Sequence, residues 1–63
     1  MKYPLDLEQG DKFEHEGKVY TTYRVDYYGG DKKEPKPYNT CIIETTTGTQ
    51  ITLKVSKPVA VPQ

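Results

Sequence analysis

The residues most able to do chemistry are few in this chain and poorly spaced for it. His15 is the only histidine. Glu14 and Glu16 flank it, but neighbours along a strand point to opposite faces and cannot close on one proton or one ion. No His-x-His, Cys-x-x-Cys or carboxylate cluster accompanies it, so no zinc site is expected. His15 reads as a polar residue at a hairpin tip. Cys41 would be a nucleophile only if His15 lay beside it and lowered its pKa. It opens the apolar run Cys41-Ile42-Ile43, and free cysteines are among the most buried residues, so it is expected in the core. Asp6, Glu8, Asp11, Glu14 and Glu16 lie close together in sequence. A general acid and base need a cleft that raises one pKa, and 63 residues leave little room for one. These five are read as a solvated acidic face. Gly29-Gly30 lacks the Lys-Ser or Lys-Thr and the helix of a phosphate-binding loop. The chain is therefore expected not to be an enzyme, with no catalytic residue, metal or cofactor assigned.

What remains is a group of aromatic rings around one polar segment. Tyr23, Tyr27, Tyr28 and Tyr38 surround Gly29 to Pro37. Tyrosine offers a large contact area with few rotatable bonds and a polar tip, which suits it to binding surfaces. Three uses are open. The rings build the core and its rim with hydroxyls in water; they form a protein-binding patch; or they stack on single-stranded nucleic acid beside Lys32, Lys33 and Lys36. The segment Glu34-Pro35-Lys36-Pro37 favours extended, polyproline-like geometry and could itself be a ligand.

Composition narrows the scaffold that must position these groups. Of the 63 residues 33% are hydrophobic and 29% charged, and one domain of this length has one small core. No run approaches the roughly 20 apolar residues that span a bilayer, and no membrane association is expected. Met1 to Gly10 lacks a basic-then-apolar export signal, and the single Cys41 fits a reducing compartment, so the expected location is the cytoplasm. Nine basic and nine acidic residues cancel. Nucleic-acid-binding domains usually carry a basic surplus. The halves differ, however: Met1 to Asp31 holds seven acids and four bases, net −3, and Lys32 to Gln63 holds two acids and five bases, net +3.

Six Tyr, eight Thr and several Val and Ile give a strand-like composition. Residues 1–9 form an extended lead-in. Lys12 to His15 is a short strand with Phe13 inward, and Glu16-Gly17 a tight turn. Lys18 to Tyr28 is the longest strand, its odd positions the more apolar. Tyr20 and Tyr28 spoil the alternation, which a β-bulge or strong bend would explain. Gly29 to Tyr38 is a loop. Asn39 to Thr46 is a strand, Thr47-Gly48 a hairpin turn, and Thr49 to Val55 alternates cleanly. Ser56-Lys57-Pro58 breaks that strand as a turn of 3₁₀ helix, and Val59-Ala60-Val61 ends the set as a fifth strand. Curling five strands into a barrel buries the apolar face and hides most edges. The expected core is Phe13, Val19, Val25, Ile43, Ile51, Leu53, Val55 and Val59.

The series Gly10-Asp11-Lys12-Phe13, Gly17-Lys18-Val19-Tyr20, Gly48 with Ile51-Thr52-Leu53, and Ser56-Lys57-Pro58-Val59 resembles the small SH3-like β-barrels over residues 10–61. Many short proteins of bacteria and their phages share this pattern without sharing an activity, so the resemblance implies an all-β, five-stranded SH3-like barrel and no function. A proline-rich ligand groove would also imply a Trp beside the variable loop and a long acidic first hairpin. This chain has no Trp, and Glu14-His15-Glu16 is too short for such a loop.

Brevity, lack of catalytic groups and surplus tyrosine point to a binding module acting through protein–protein contact. It is expected to be a small accessory or inhibitory protein of a phage or bacterium, with Tyr27, Tyr28, Asp31, Lys32, Lys33 and Tyr38 as contact residues. The alternative is a nucleic-acid-binding barrel using Lys32, Lys33, Lys36, Lys54 and Lys57. A purely structural subunit is a third option. A homodimer or another partner would also add stability to so small a core.

Overall fold

The computed structural model describes residues 1–62. Four antiparallel strands form one meander in chain order: β1 (Lys12–His15), β2 (Lys18–Asp26), β3 (Thr40–Thr45) and β4 (Gln50–Lys54). The all-β expectation holds, with four strands instead of five in a curled half-barrel. Glu16 and Gly17 both take positive φ, 50° and 79°. That is the mirror-image turn whose twist matches two right-twisted strands, and Gly17 fills it without a Cβ penalty. The β3–β4 hairpin closes through Thr46, Thr47 and Gly48, one residue longer than the expected turn, with Gly48 N–H donating to Thr45 O at 3.1 Å.

The curl originates in β2. Its first half pairs with β1, Lys12 opposite Thr21 and Phe13 opposite Tyr20. Its second half pairs with β3, Val25 opposite Ile43. Between them Thr22 faces Thr45 and Arg24 faces Glu44, so two steps on β2 match one on β3 and Tyr23 is the extra residue of a bulge. One extra residue inverts the parity of everything after it. Tyr20 and Thr22 face inward before the bulge, and Val25 and Tyr27 after it. The broken alternation of the sequence is therefore one strand with two phases.

The core joins Leu7, Phe13, Tyr27, Cys41, Ile43, Ile51, Val55 and Val59, with Leu5, Tyr20, Val25 and Leu53 packed against it. Val19 is a correction. It is 54% exposed, because before the bulge the odd positions of β2 face outward, and Tyr20 stacks on Phe13 instead, centroids 5.8 Å apart. Val25 and Leu53 are half-buried rather than central.

The ends of the chain also differ from expectation. The 3₁₀ turn lies at Pro4–Asp6, not at Ser56-Lys57-Pro58, which forms a simple turn with Lys57 N–H donating to Lys54 O at 3.1 Å. Pro at the start of the 3₁₀ segment supplies the fixed φ that favours it. Buried Pro4 and Leu7 seat the lead-in against the core, with the 3₁₀ turn beside β3. The fifth strand is reduced to two bridges, Lys2 with Val59 and Glu14 with Ala60. Pro58 and Pro62 flank this segment, and neither ring nitrogen can donate to a ladder. Lys2 Nζ reaches Asp11 Oδ2 at 3.0 Å and ties the lead-in to the start of β1.

Candidate binding surface

The loop Tyr27–Asn39 joins the end of β2 to the start of β3, and its closure begins with two polar atoms. Asn39 Nδ2 donates to Tyr27 Oη at 2.9 Å and to Gly29 O at 3.3 Å. The Tyr27 ring is buried at 9% exposure, with its hydroxyl as the polar handle on which Asn39 hangs. Gly29 is needed by close approach: a Cβ there would overlap Asn39 Nδ2 and sit 2.8 Å from Tyr27 Oη. Tyr27 is thus a correction to the expected contact residues. It anchors the loop from inside.

Two turns follow. Asp31 Oδ1 accepts from Lys33 N–H at 2.9 Å, and Glu34 N–H donates to Asp31 O at 3.2 Å. This side-chain-capped turn is what Asp forms readily with the backbone two residues on. Half-buried Pro35 links it to the second turn, where Asn39 N–H donates to Lys36 O at 3.0 Å. Asp31 therefore shapes the loop, whatever else it meets. Lys32 folds back, its Nζ donating to Val25 O at 3.4 Å.

Tyr28 and Tyr38 are 83% and 71% exposed. Each directly precedes one of the two residues, Gly29 and Asn39, that meet at the base of the loop, so the fold brings the two stems together. Lys33 and Lys36 project from the loop. Lys54 stands opposite Thr40, the first residue of β3, and Val55 N–H donates to Asn39 O at 3.0 Å. Lys57 follows in the next turn. The same end of the sheet thus carries Lys32, Lys33, Lys36, Lys54 and Lys57, all exposed, against Asp31 and Glu34. Among the described residues none of these five lysines makes an ion pair. Arg24 contrasts with them. On the outer face it lies 3.0 Å from Asp26 and 2.8 Å from Glu44, and those carboxylates, Asp26 first, favour its charged form further.

The other candidates stand apart from this end. His15 closes β1 with Nε2 at 3.9 Å from Glu16 Oε1. Cys41 is free and buried in the core, as expected. Burial raises its thiol pKa, partly offset by Lys32, which is opposite to the activation a nucleophile needs. Of the five early acids, Asp11 is held below its ordinary pKa of 3.8, first by the Glu8 N–H and then by Lys2. An open cleft of about 290 Å³ lies at the far end of the sheet, lined by Tyr23, Glu44, Thr45, Thr46, Gly48 and Gln50. Its carboxylate, Glu44, is already engaged by Arg24 and by Gln50 Nε2 at 3.4 Å.

Of the six expected contact residues, Tyr28, Lys32, Lys33 and Tyr38 lie exposed at one end, Asp31 is exposed but engaged in its turn, and Tyr27 is inside. Asn39 was missed. An Asn just before a strand is an ordinary turn signal, and nothing in one dimension shows which hydroxyl it will meet. Comparison with protein-family models, with curated proteins and with solved structures returned no match.

Proposed function

We propose that this chain is a non-enzymatic binding module, an SH3-like half-barrel that acts by occupying an acidic surface of another protein. The observation that carries it is the loop end: two exposed tyrosines stand at the stem of a pinned loop, among five lysines that have no acidic partner among the described residues. Exposed aromatic rings supply contact area at low entropic cost, and unpaired cations supply attraction and orientation. The SH3-like assignment draws support from the element order and from Val59 and Ala60 lying along Lys2 and β1, where a closing strand would pair. Small accessory or inhibitory proteins of phages and bacteria would work in this way within the cytoplasm.

A pull-down from host lysate tests it, with the Tyr28→Ala/Tyr38→Ala double variant as control. The wild type is expected to retain a partner that the folded double variant loses; equal retention by both overturns the assignment. The convergence of Lys54 and Lys57 with the loop lysines favours one second ligand, single-stranded nucleic acid. Its test is a salt titration with short DNA and RNA. A steep fall in affinity with salt marks phosphate contacts, and no binding at low salt removes the second reading.

A further inference from the structure

The outer edge of β4 has the geometry to pair with itself. In the β3–β4 ladder Thr45 N–H donates to Thr49 O at 2.9 Å and Val55 N–H donates to Asn39 O at 3.0 Å. The register runs Glu44 opposite Gln50 to Thr40 opposite Lys54. Hydrogen-bonded and non-bonded pairs alternate in an antiparallel ladder, so both ends of this one require Ile51 and Leu53 to bond β3. Gln50, Thr52 and Lys54 then aim their N–H and C=O groups away from the sheet. Apart from the Lys57 N–H on the Lys54 carbonyl, no described residue outside β3 makes a backbone hydrogen bond to this strand. The edge Gln50-Ile51-Thr52-Leu53-Lys54 has no Pro and presents unpaired backbone groups, which template another strand, while its five residues keep such pairing weak.

We propose that two copies of this chain associate through β4, antiparallel and centred on Thr52. That register sets Thr52 against Thr52 of the second copy, Gln50 against Lys54, and Ile51 against Leu53. Every outward N–H falls in a bonded pair; with the Lys54 carbonyl already accepting from Lys57 N–H, about four of the six bonds reach free acceptors. Charge agrees with the register. Lys54 of one copy lies across the other's Gln50, with Glu44 one strand beyond on the same face. Apolar Ile51 and Leu53 share the inner face. No like charges stand directly opposite each other, an arrangement that would oppose pairing. The strand is only five residues long, so the association is weak, with a dissociation constant of about 10 µM to 1 mM.

Sedimentation of the full chain from about 10 µM to 1 mM tests it, together with amide hydrogen exchange at both ends of that range. The wild type is expected to pass from monomer to dimer, with the Thr52 amide gaining protection. Thr52→Pro deletes an outward donor but no bond to β3, a position where an edge strand accepts Pro. It is expected to weaken dimerisation at least about tenfold with its circular dichroism unchanged. Gln50→Lys places like charges together between copies while facing Glu44 within its own copy, so it separates loss of dimer from loss of fold. A wild type that stays monomeric at 1 mM overturns the proposal, whether or not the edge accepts a foreign strand peptide. So does a dimer that both folded variants preserve.

Discussion

Thr22 is a small test of how the bulge is built. Its side chain is buried, and its Oγ1 has no hydrogen-bond partner among the described residues. A buried hydroxyl without a partner costs about 1–3 kcal/mol. Thr22→Val keeps the branched shape and removes that oxygen, so it is expected to stabilise the fold by about 1 kcal/mol and raise Tm by roughly 4–8 °C. A lower Tm would show that the hydroxyl is bonded after all. Asp11 gives a second test, through pH. Its folded pKa lies below the ordinary 3.8, so its contribution is present above that value and is lost as pH falls through the lowered one. Lys2 is raised above its ordinary 10.5, chiefly by Asp11, and its share is lost at the alkaline limb. Thermal melts of Asp11→Asn are expected to show a shallower loss of stability in acid than the wild type; parallel acid limbs would contradict that pairing. Cys41 was legible in sequence as a core residue because it opens an apolar run. Tyr27 lies on the odd, more apolar face of its strand, but its place beside Tyr28 and the loop put it among the expected contact residues; the odd positions after Tyr23 do turn inward.

At the level of elements, β2 carries the architecture. Turn chemistry made both hairpins readable from sequence, and clean alternation made β4 readable. The broken alternation of β2 signalled a bulge somewhere without locating it. Counting a single phase through Lys18 to Tyr28 put Val19 in the core, and the bulge moved it out. The fifth strand failed for a different reason. Val59-Ala60-Val61 has strand-forming residues, but its pairing is limited to two bridges, and the lead-in with Pro4 and Leu7 covers the core that a longer strand would have closed. Deletion of Tyr23 tests the phase argument. It would join Thr22 directly to Arg24, so that Thr22 opposite Thr45, Arg24 opposite Glu44 and Val25 opposite Ile43 run without a break and Val25 and Tyr27 stay inward; the deletant is expected to keep cooperative unfolding in denaturant. A deletant that loses cooperative unfolding would show that Tyr23 is not the extra residue.

The whole molecule is small, with a radius of gyration of 10.8 Å, close to the roughly 11 Å expected of a compact chain this long. Zero net charge hides a separation. The loop end holds five lysines and two acids, net +3, and the rest holds seven acids and four bases, net −3. The halves of the sequence foreshadowed this polarity, and folding preserves it because the loop and the turn after β4 meet at one end. Partner association is therefore expected to slow as ionic strength rises past the range where the Debye length shortens to about 8 Å. A rate independent of salt would remove electrostatics from the encounter.

The most direct measurement compares two neighbouring alanine variants. Tyr27→Ala removes a buried ring and the acceptor of Asn39, and is expected to cost about 3 kcal/mol and lower Tm by roughly 12–24 °C. Tyr28→Ala removes a ring that lies in solvent. Tyr28→Ala is expected to melt within a few degrees of wild type yet to capture markedly less partner. Full capture by Tyr28→Ala, or a fall in its Tm matching that of Tyr27→Ala, would contradict it.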